Sequence, residues 1–137
     1  MGRILAIDYG RKRSGLAVTD PLQIIANPLD TIPTHTLADW LNAYFSKEKV
    51  DLVVIGYPKQ TNGEDSESML YIRPFINLFK KRFPDIRLIE YDERFTSVLA
   101  HKAMIDGGMK QKQRRDKAVV DKIAACIILE DYMQSLH

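Results

Sequence analysis

Leu5-Ala6-Ile7-Asp8-Tyr9-Gly10 runs through Arg11-Lys12-Arg13-Ser14-Gly15 into Leu16-Ala17-Val18. An apolar run ends on a lone aspartate, a glycine-punctuated basic turn follows, and the chain becomes apolar again. The pattern predicts a β-strand folded back by a hairpin onto a second strand. The first run is apolar on both faces, which predicts a strand in the middle of a sheet covered on both sides. A carboxylate at the end of a buried strand is costly unless it is paired, hydrogen-bonded or bound to metal. Taken alone, Asp8 could do no more than cap the turn through backbone N–H groups. Acids far downstream give it company.

Working outward, Ile4 to Asp8 is the first strand and Gly15 to Thr19 the second. Asp20-Pro21 makes a turn and Leu22 to Ala26 a short third strand, an antiparallel meander. Thr34 or Thr36 can cap a helix whose Leu37, Trp40, Leu41, Tyr44 and Phe45 form an apolar stripe. Aromatics at that spacing read as core, not as a base-stacking platform. Leu52 to Ile55 is a buried strand reached by a helical crossover, hence parallel to the first. Thr61 to Asp65 is a loop, and Met69, Ile72, Ile76, Phe79 and Phe83 mark a second helix. Pro74 inside it predicts a kink or a later start, because proline removes a backbone bond at a cost of about 3 kcal/mol. Ile86 to Tyr91 is the last strand, entering Asp92-Glu93-Arg94-Phe95. Thr96 can cap a third helix closed by Gly107-Gly108, and Asp116 a final helix from about Lys117 to Met133. The order describes an α/β fold, one mixed sheet with helices on both faces, as a single domain over residues 1–137.

Of the 137 residues, 45% are hydrophobic and 28% charged, with a formal net charge of +2. Overall charge therefore does not announce a nucleic-acid partner, and any such case rests on local clusters. The one cysteine, Cys126, excludes an internal disulfide and a cysteine-based zinc site. Its neighbours Ala124, Ala125 and Ile127 predict a buried, inert thiol. The N-terminus carries no signal pattern and no apolar run approaches ~18 residues, so a cytoplasmic protein without membrane contact is expected.

Three acids interrupt apolar contexts. Asp8 ends the central strand, and Asp92 and Glu93 end the last one, at the same edge if the crossovers are parallel. Open α/β sheets place ligands at that edge. Alternation puts Glu93 with Ile89 and Tyr91, and Asp92 with Leu88 and Glu90, which favours Glu93. Asp121 shares a helical face with Ala124, Ala125, Ile128 and Tyr132, and the alanines aim it inward. Three converging carboxylates repel one another, and divalent cations resolve that repulsion. Hard oxygen donors select Mg²⁺ or Mn²⁺. Two such ions about 4 Å apart activate water and stabilise the leaving oxygen of a phosphodiester. Arg11 and Lys12 follow Asp8 in the hairpin with Arg13, and Arg94 follows Glu93. Lys110, Lys112, Arg114 and Arg115 precede the helix of Asp121. Around one acid site these bases suit a phosphate backbone.

Four motifs in order carry a resemblance over essentially the whole chain. They are Asp8 to Ala17, Gly56-Tyr57-Pro58 with Gly63, Asp92-Glu93-Arg94-Phe95-Thr96-Ser97, and Lys117 to Asp121 with Ala124-Ala125 and Ile128-Leu129. Together they resemble the YqgF/RuvX family of RNase H-like proteins. The resemblance implies an RNase H-like five-stranded sheet in the order 3-2-1-4-5 and metal-dependent phosphodiester hydrolysis by Asp8, Glu93 and Asp121. Asp92, in the same motif, is a further candidate ligand. The family is assigned to maturing the 5′ end of pre-16S ribosomal RNA, and earlier to resolving Holliday junctions. The resolvases carry an acid at the end of the fourth strand where this chain has Gly56, which favours RNA over branched DNA as partner. The alternatives are a Holliday junction resolvase, which would need a dimer to match junction symmetry, and a non-catalytic nucleic-acid-binding regulatory factor. An actin-like ATPase lobe is disfavoured, since one domain cannot close around a nucleotide. A monomer or weak homodimer is expected.

Overall fold

The computed structural model describes residues 2–57, 69–92 and 117–136. Its strands are β1 (Arg3–Asp8), β2 (Arg13–Thr19), β3 (Ala26–Pro33), β4 (Val50–Tyr57) and β5 (Arg87–Asp92). The described helices are α1 (Leu37–Lys47), α2 (Met69–Arg82) and α3 (Lys117–Ser135), with a 3-10 turn at Thr34–Thr36. The sheet order is β3-β2-β1-β4-β5, as the motifs implied. β1 is antiparallel to β2 and parallel to β4, and β4 is parallel to β5. β1, β4 and β5 therefore finish at one edge.

Strand alternation divides the core in two. Leu5, Ile7, Leu16, Val53 and Ile55 face α1 and α2, where Leu37, Leu41, Ile72 and Phe79 are buried against them. Ile4, Ala6, Ala17 and Val54 face α3, meeting Ala125, Ile128, Leu129 and Tyr132. Small residues on both sides, Ala6 and Ala17 against Ala124 and Ala125, let the helix lie close to the sheet. In the α1 stripe Leu37 and Leu41 are buried, while Trp40, Tyr44 and Phe45 pack on the cluster's margin. Cys126 is buried, and burial with the neighbouring Glu130 carboxylate pushes its thiol up to about 12, so it is inert as expected.

The third strand departs from the sequence expectation. It is Ala26–Pro33, whereas Leu22 to Ile25 form a loop with Leu22, Ile24 and Ile25 exposed. Asp20 decides this. Its Oδ1 accepts the N–H groups of Ile24 and Ile25 at 2.8 Å each, and its Oδ2 that of Leu22 at 3.1 Å. Donors that a strand would use are captured by one side chain, and Gln23 sits at φ 59. β3 pairs along the whole of β2 and carries two prolines, Pro28 and Pro33, with a register shift opposite Leu16 and Ala17.

α2 begins at Met69 and continues through Pro74, so the later start is not observed. Pro74 lies in its second turn, and the flanking Ile72, Phe75 and Ile76 are buried, a packing gain that outweighs the missing bond. No described helix is long and apolar enough to cross a membrane. The helix expected from Thr96 to Gly108, the Asp116 cap and the Thr61 to Asp65 loop lie outside the described residues.

Candidate functional site

Asp8 is the last residue of β1 and half-buried. It follows Ile4 and Ala6 in alternation, which places it on the α3 side of the sheet. Its register partners are both glycines, Gly15 on β2 and Gly56 on β4. Neither of these register partners carries a side chain.

Gly15 also sets the position of α3. A Cβ on Gly15 would fall on the carbonyl group of Asp121 and lie 2.9 Å from the amide nitrogen of Lys122. The helix backbone thus rests against the strand at the residue paired with Asp8. Glycine is required here by the close approach of two backbones. Asp121 is carried to the same sheet edge as Asp8, on the same face.

Arg13, on β2 two residues before Gly15 and hence on the same face, reaches Asp121. Its Nε donates to Oδ2 at 2.9 Å, with side-chain exposures of 42% and 25%. Sequence reasoning placed Arg13 in the basic hairpin without a role; its parity with Gly15 is the signal that aims it at α3. Repulsion around Asp121 is therefore relieved here by a guanidinium.

The hairpin is held by a closed ring of hydrogen bonds. Gly10 N–H donates to Ser14 Oγ at 3.4 Å, and Thr34 Oγ1 donates to the Gly10 carbonyl at 2.6 Å. The Ser14 and Thr34 hydroxyls lie 2.8 Å apart. With the Thr34 proton on Gly10, Ser14 donates to Thr34. Thr34 N–H also donates to the Lys12 carbonyl at 2.9 Å. Ser14 is fully buried. The sequence offered Thr34 or Thr36 as a helix cap, but neither hydroxyl caps: that of Thr34 is taken by this ring and that of Thr36 donates to the Pro33 carbonyl.

The other hairpin bases diverge. Lys12 is exposed at the tip. The Arg11 guanidinium lies 4.4 Å from the ring centroid of Tyr71 on α2, on the far face of the sheet from Asp121. Tyr9, next to Asp8, also points to that face and packs on Phe75 with ring centroids 5.1 Å apart. Burial raises the pKa of its hydroxyl.

β5 ends at Asp92, paired in register with Tyr57, one step beyond the row of Asp8, Gly56 and Tyr91. Ile89 and Tyr91 pack on the α3 cluster, Tyr91 edge-on against Tyr132 at 5.9 Å. Glu93, Arg94, Lys110, Lys112, Arg114 and Arg115 lie outside the described residues. Among the described residues no three acidic, histidine or cysteine side chains converge on one point. The pair that does share an edge, Asp8 and Asp121, offers hard oxygen donors, and a cationic group already sits on Asp121. That chemistry fits a divalent cation with oxygen ligands.

A family model described as RuvX, Holliday junction resolvase, matches residues 2–135. A protein of Phocaeicola vulgatus named "Putative pre-16S rRNA nuclease" is 58% identical over 135 residues, covering 98% of this chain and 97% of its own. A Flavobacterium johnsoniae protein of the same name is 56% identical, covering 98% of each. Among solved structures, Thermus thermophilus RuvC bound to a Holliday junction substrate superposes with TM-score 0.58 at 13% identity, covering 98% of this chain and 96% of that one. At that identity the likeness is one of fold, and the fold is RNase H-like.

Proposed function

The chain belongs to the RuvX family, and on that footing we propose that it is a metal-dependent nuclease that hydrolyses phosphodiester bonds in the 5′-end maturation of pre-16S ribosomal RNA. One observation carries the reading. Asp8 and Asp121, distant in sequence, are brought to one sheet edge and one face by the shared neighbour Gly15. A fold has little structural reason to gather acids at the end of a buried strand, and a phosphodiesterase has a catalytic one.

Asp8 and Asp121 would hold Mg²⁺ or Mn²⁺, with Glu93 as the third ligand. Glu93 continues the alternation of Ile89 and Tyr91, which pack on the α3 side. The cation supplies activation of a water and stabilisation of the leaving oxygen. The chain's own residues do the rest. Arg13 balances the charge of Asp121 and lies ready to meet a substrate phosphate. Lys12 and Arg11 extend the positive edge along the hairpin, and Arg94, Lys110, Lys112, Arg114 and Arg115 are assigned to the same backbone. Gly15 lets α3 approach closely enough to bring Asp121 to the edge that carries Asp8. An RNA precursor as substrate places the protein in the cytoplasm, acting as a monomer or weak homodimer.

The test is a cleavage assay with Mg²⁺ or Mn²⁺ on a ribosomal-precursor leader RNA and on a four-way DNA junction, comparing wild type with Asp8→Asn. RNA cleavage lost in the variant is the expected result. Cleavage of the junction alone would restore the resolvase, and binding of either without cleavage would make the protein a regulatory factor.

A further inference from the structure

Resting on the nuclease reading, we propose that a cavity on the other side of the sheet from Asp121 receives one unpaired base of the RNA. The cavity, of about 250 Å³, lies between the start of α1 and the start of α2. Its walls include Tyr9, Tyr71, Phe75 and Leu78, and its rim Thr34 and His35.

Position is the first argument. Tyr9 directly follows Asp8, so the cavity opens one residue from the carboxylate, across the edge of the sheet. A strand whose phosphate lies at Asp8 brings a neighbouring base to this side. The hairpin that carries Arg11 and Lys12 forms the border between the two, and the Ser14–Thr34–Gly10 ring fixes it.

Chemistry is the second. Successive bases of single strands stack on aromatic rings and on arginine planes. Tyr71 is 41% exposed and Leu78 46%, whereas Phe75 and Phe79 beside them are buried and fill the core. Tyr71 is thus not needed for packing, and the Arg11 guanidinium lies on its ring at 4.4 Å. Among the described residues no acidic side chain lines the cavity. An aromatic recess with a guanidinium on one of its rings, and no acid among its described lining residues, suits the base of a polyanion better than the apolar side chain of a protein. Trp40, Tyr44 and Phe45, by contrast, pack on the core cluster.

The polar groups also define selectivity. The Thr34 hydroxyl is committed to Gly10 and Ser14. Among the described lining residues the His35 imidazole and the tyrosine hydroxyls remain to read a base edge, so the recess accepts any base and discriminates weakly.

The experiment measures binding of a short, fluorescently labelled single-stranded RNA by anisotropy, without added divalent cation, so that no cleavage occurs. A series of the same strand carries one abasic site at each position in turn. Wild type should bind one abasic strand about tenfold more weakly than the intact strand. Tyr71→Ala should weaken the intact strand by a similar factor and be indifferent to that abasic site, and Tyr71→Phe should bind as wild type. Melting curves of the variants check that the fold is kept. Equal losses on intact and abasic strands, or no loss in Tyr71→Ala, would overturn the base site while leaving the cleavage assay untouched. Failure of cleavage with the abasic effect present would overturn the nuclease and leave the recess standing.

Discussion

The α-carbon of Gly15 lies against the backbone carbonyl of Asp121, and no side chain larger than hydrogen fits between them. Because Gly15 is also the register partner of Asp8, this one contact sets the spacing of the two acids. Gly15→Ala must push α3 away from β2. The stability cost should be about 1–3 kcal/mol, the range for overpacking a tight interior. Cleavage should fall far more than the melting temperature does, since both carboxylates must hold one geometry. A variant with wild-type turnover at lowered melting temperature would show that the spacing does not matter.

Asp121→Asn should reduce hydrolysis to background and leave the fold intact. The ion pair it removes is half-exposed, and such pairs contribute about 1 kcal/mol or less. Near-identical melting curves with abolished cleavage are expected. Substantial residual activity would remove Asp121 from the catalytic set.

Arg13→Gln probes the same pair from the other side. The guanidinium competes with a cation for the Asp121 carboxylate and repels it electrostatically. Its loss should tighten Mn²⁺ binding several-fold in a calorimetric titration, while weakening RNA binding and reducing its salt dependence. Weaker Mn²⁺ binding in the variant would mean that Arg13 organises the acids instead of competing for them.

Ser14→Ala opens the hydrogen-bonded ring at its buried member. It leaves the Gly10 N–H without its acceptor, a loss worth about 1–3 kcal/mol when the group is shielded from water. The melting temperature should fall, and RNA affinity with it, as the basic hairpin loosens. Ser14→Thr retains the hydroxyl and should recover most of the stability.

The loop after β2 should respond to acid. The N–H of Ile25 foremost, and those of Ile24 and Leu22, hold the carboxyl of Asp20 below its usual range. As pH falls, the unfolded chain therefore takes up this proton before the folded one. The stabilisation is complete above the unfolded value, near pH 4, and is lost as pH drops through the lower folded value. Protection of the Leu22, Ile24 and Ile25 amides should decline across that acid window in wild type and show no such step in Asp20→Asn.

The central strand, the parallel crossovers and the face of the last helix that packs on the sheet were legible because each rests on periodicity. Apolar runs at Leu5 to Ile7 and Leu52 to Ile55, and the buried Ala124 and Ala125, state which faces are buried. Leu22 to Ile25 misled for the opposite reason: apolar composition suggested a strand, whereas the conformation is decided by a side chain of Asp20 that spacing does not reveal. Arg11 and Arg13 look equivalent in sequence. Arg13 is the first residue of β2, so its parity with Gly15 sends it to Asp121, whereas Arg11 lies in the turn before the strand, where no alternation holds, and rests over Tyr71. The Gly15–Asp121 contact joins segments so far apart in the chain that no local pattern can signal it.

The prolines of β3 have a consequence for how copies of this protein meet. β3 borders the sheet, and an open border is a template on which another strand can add. Pro28 and Pro33 each lack the N–H that such growth requires, and the register shift between them interrupts the ladder. This side of the sheet is closed to polymerisation through its backbone. A nascent chain is thereby guarded on that flank from pairing with its neighbours.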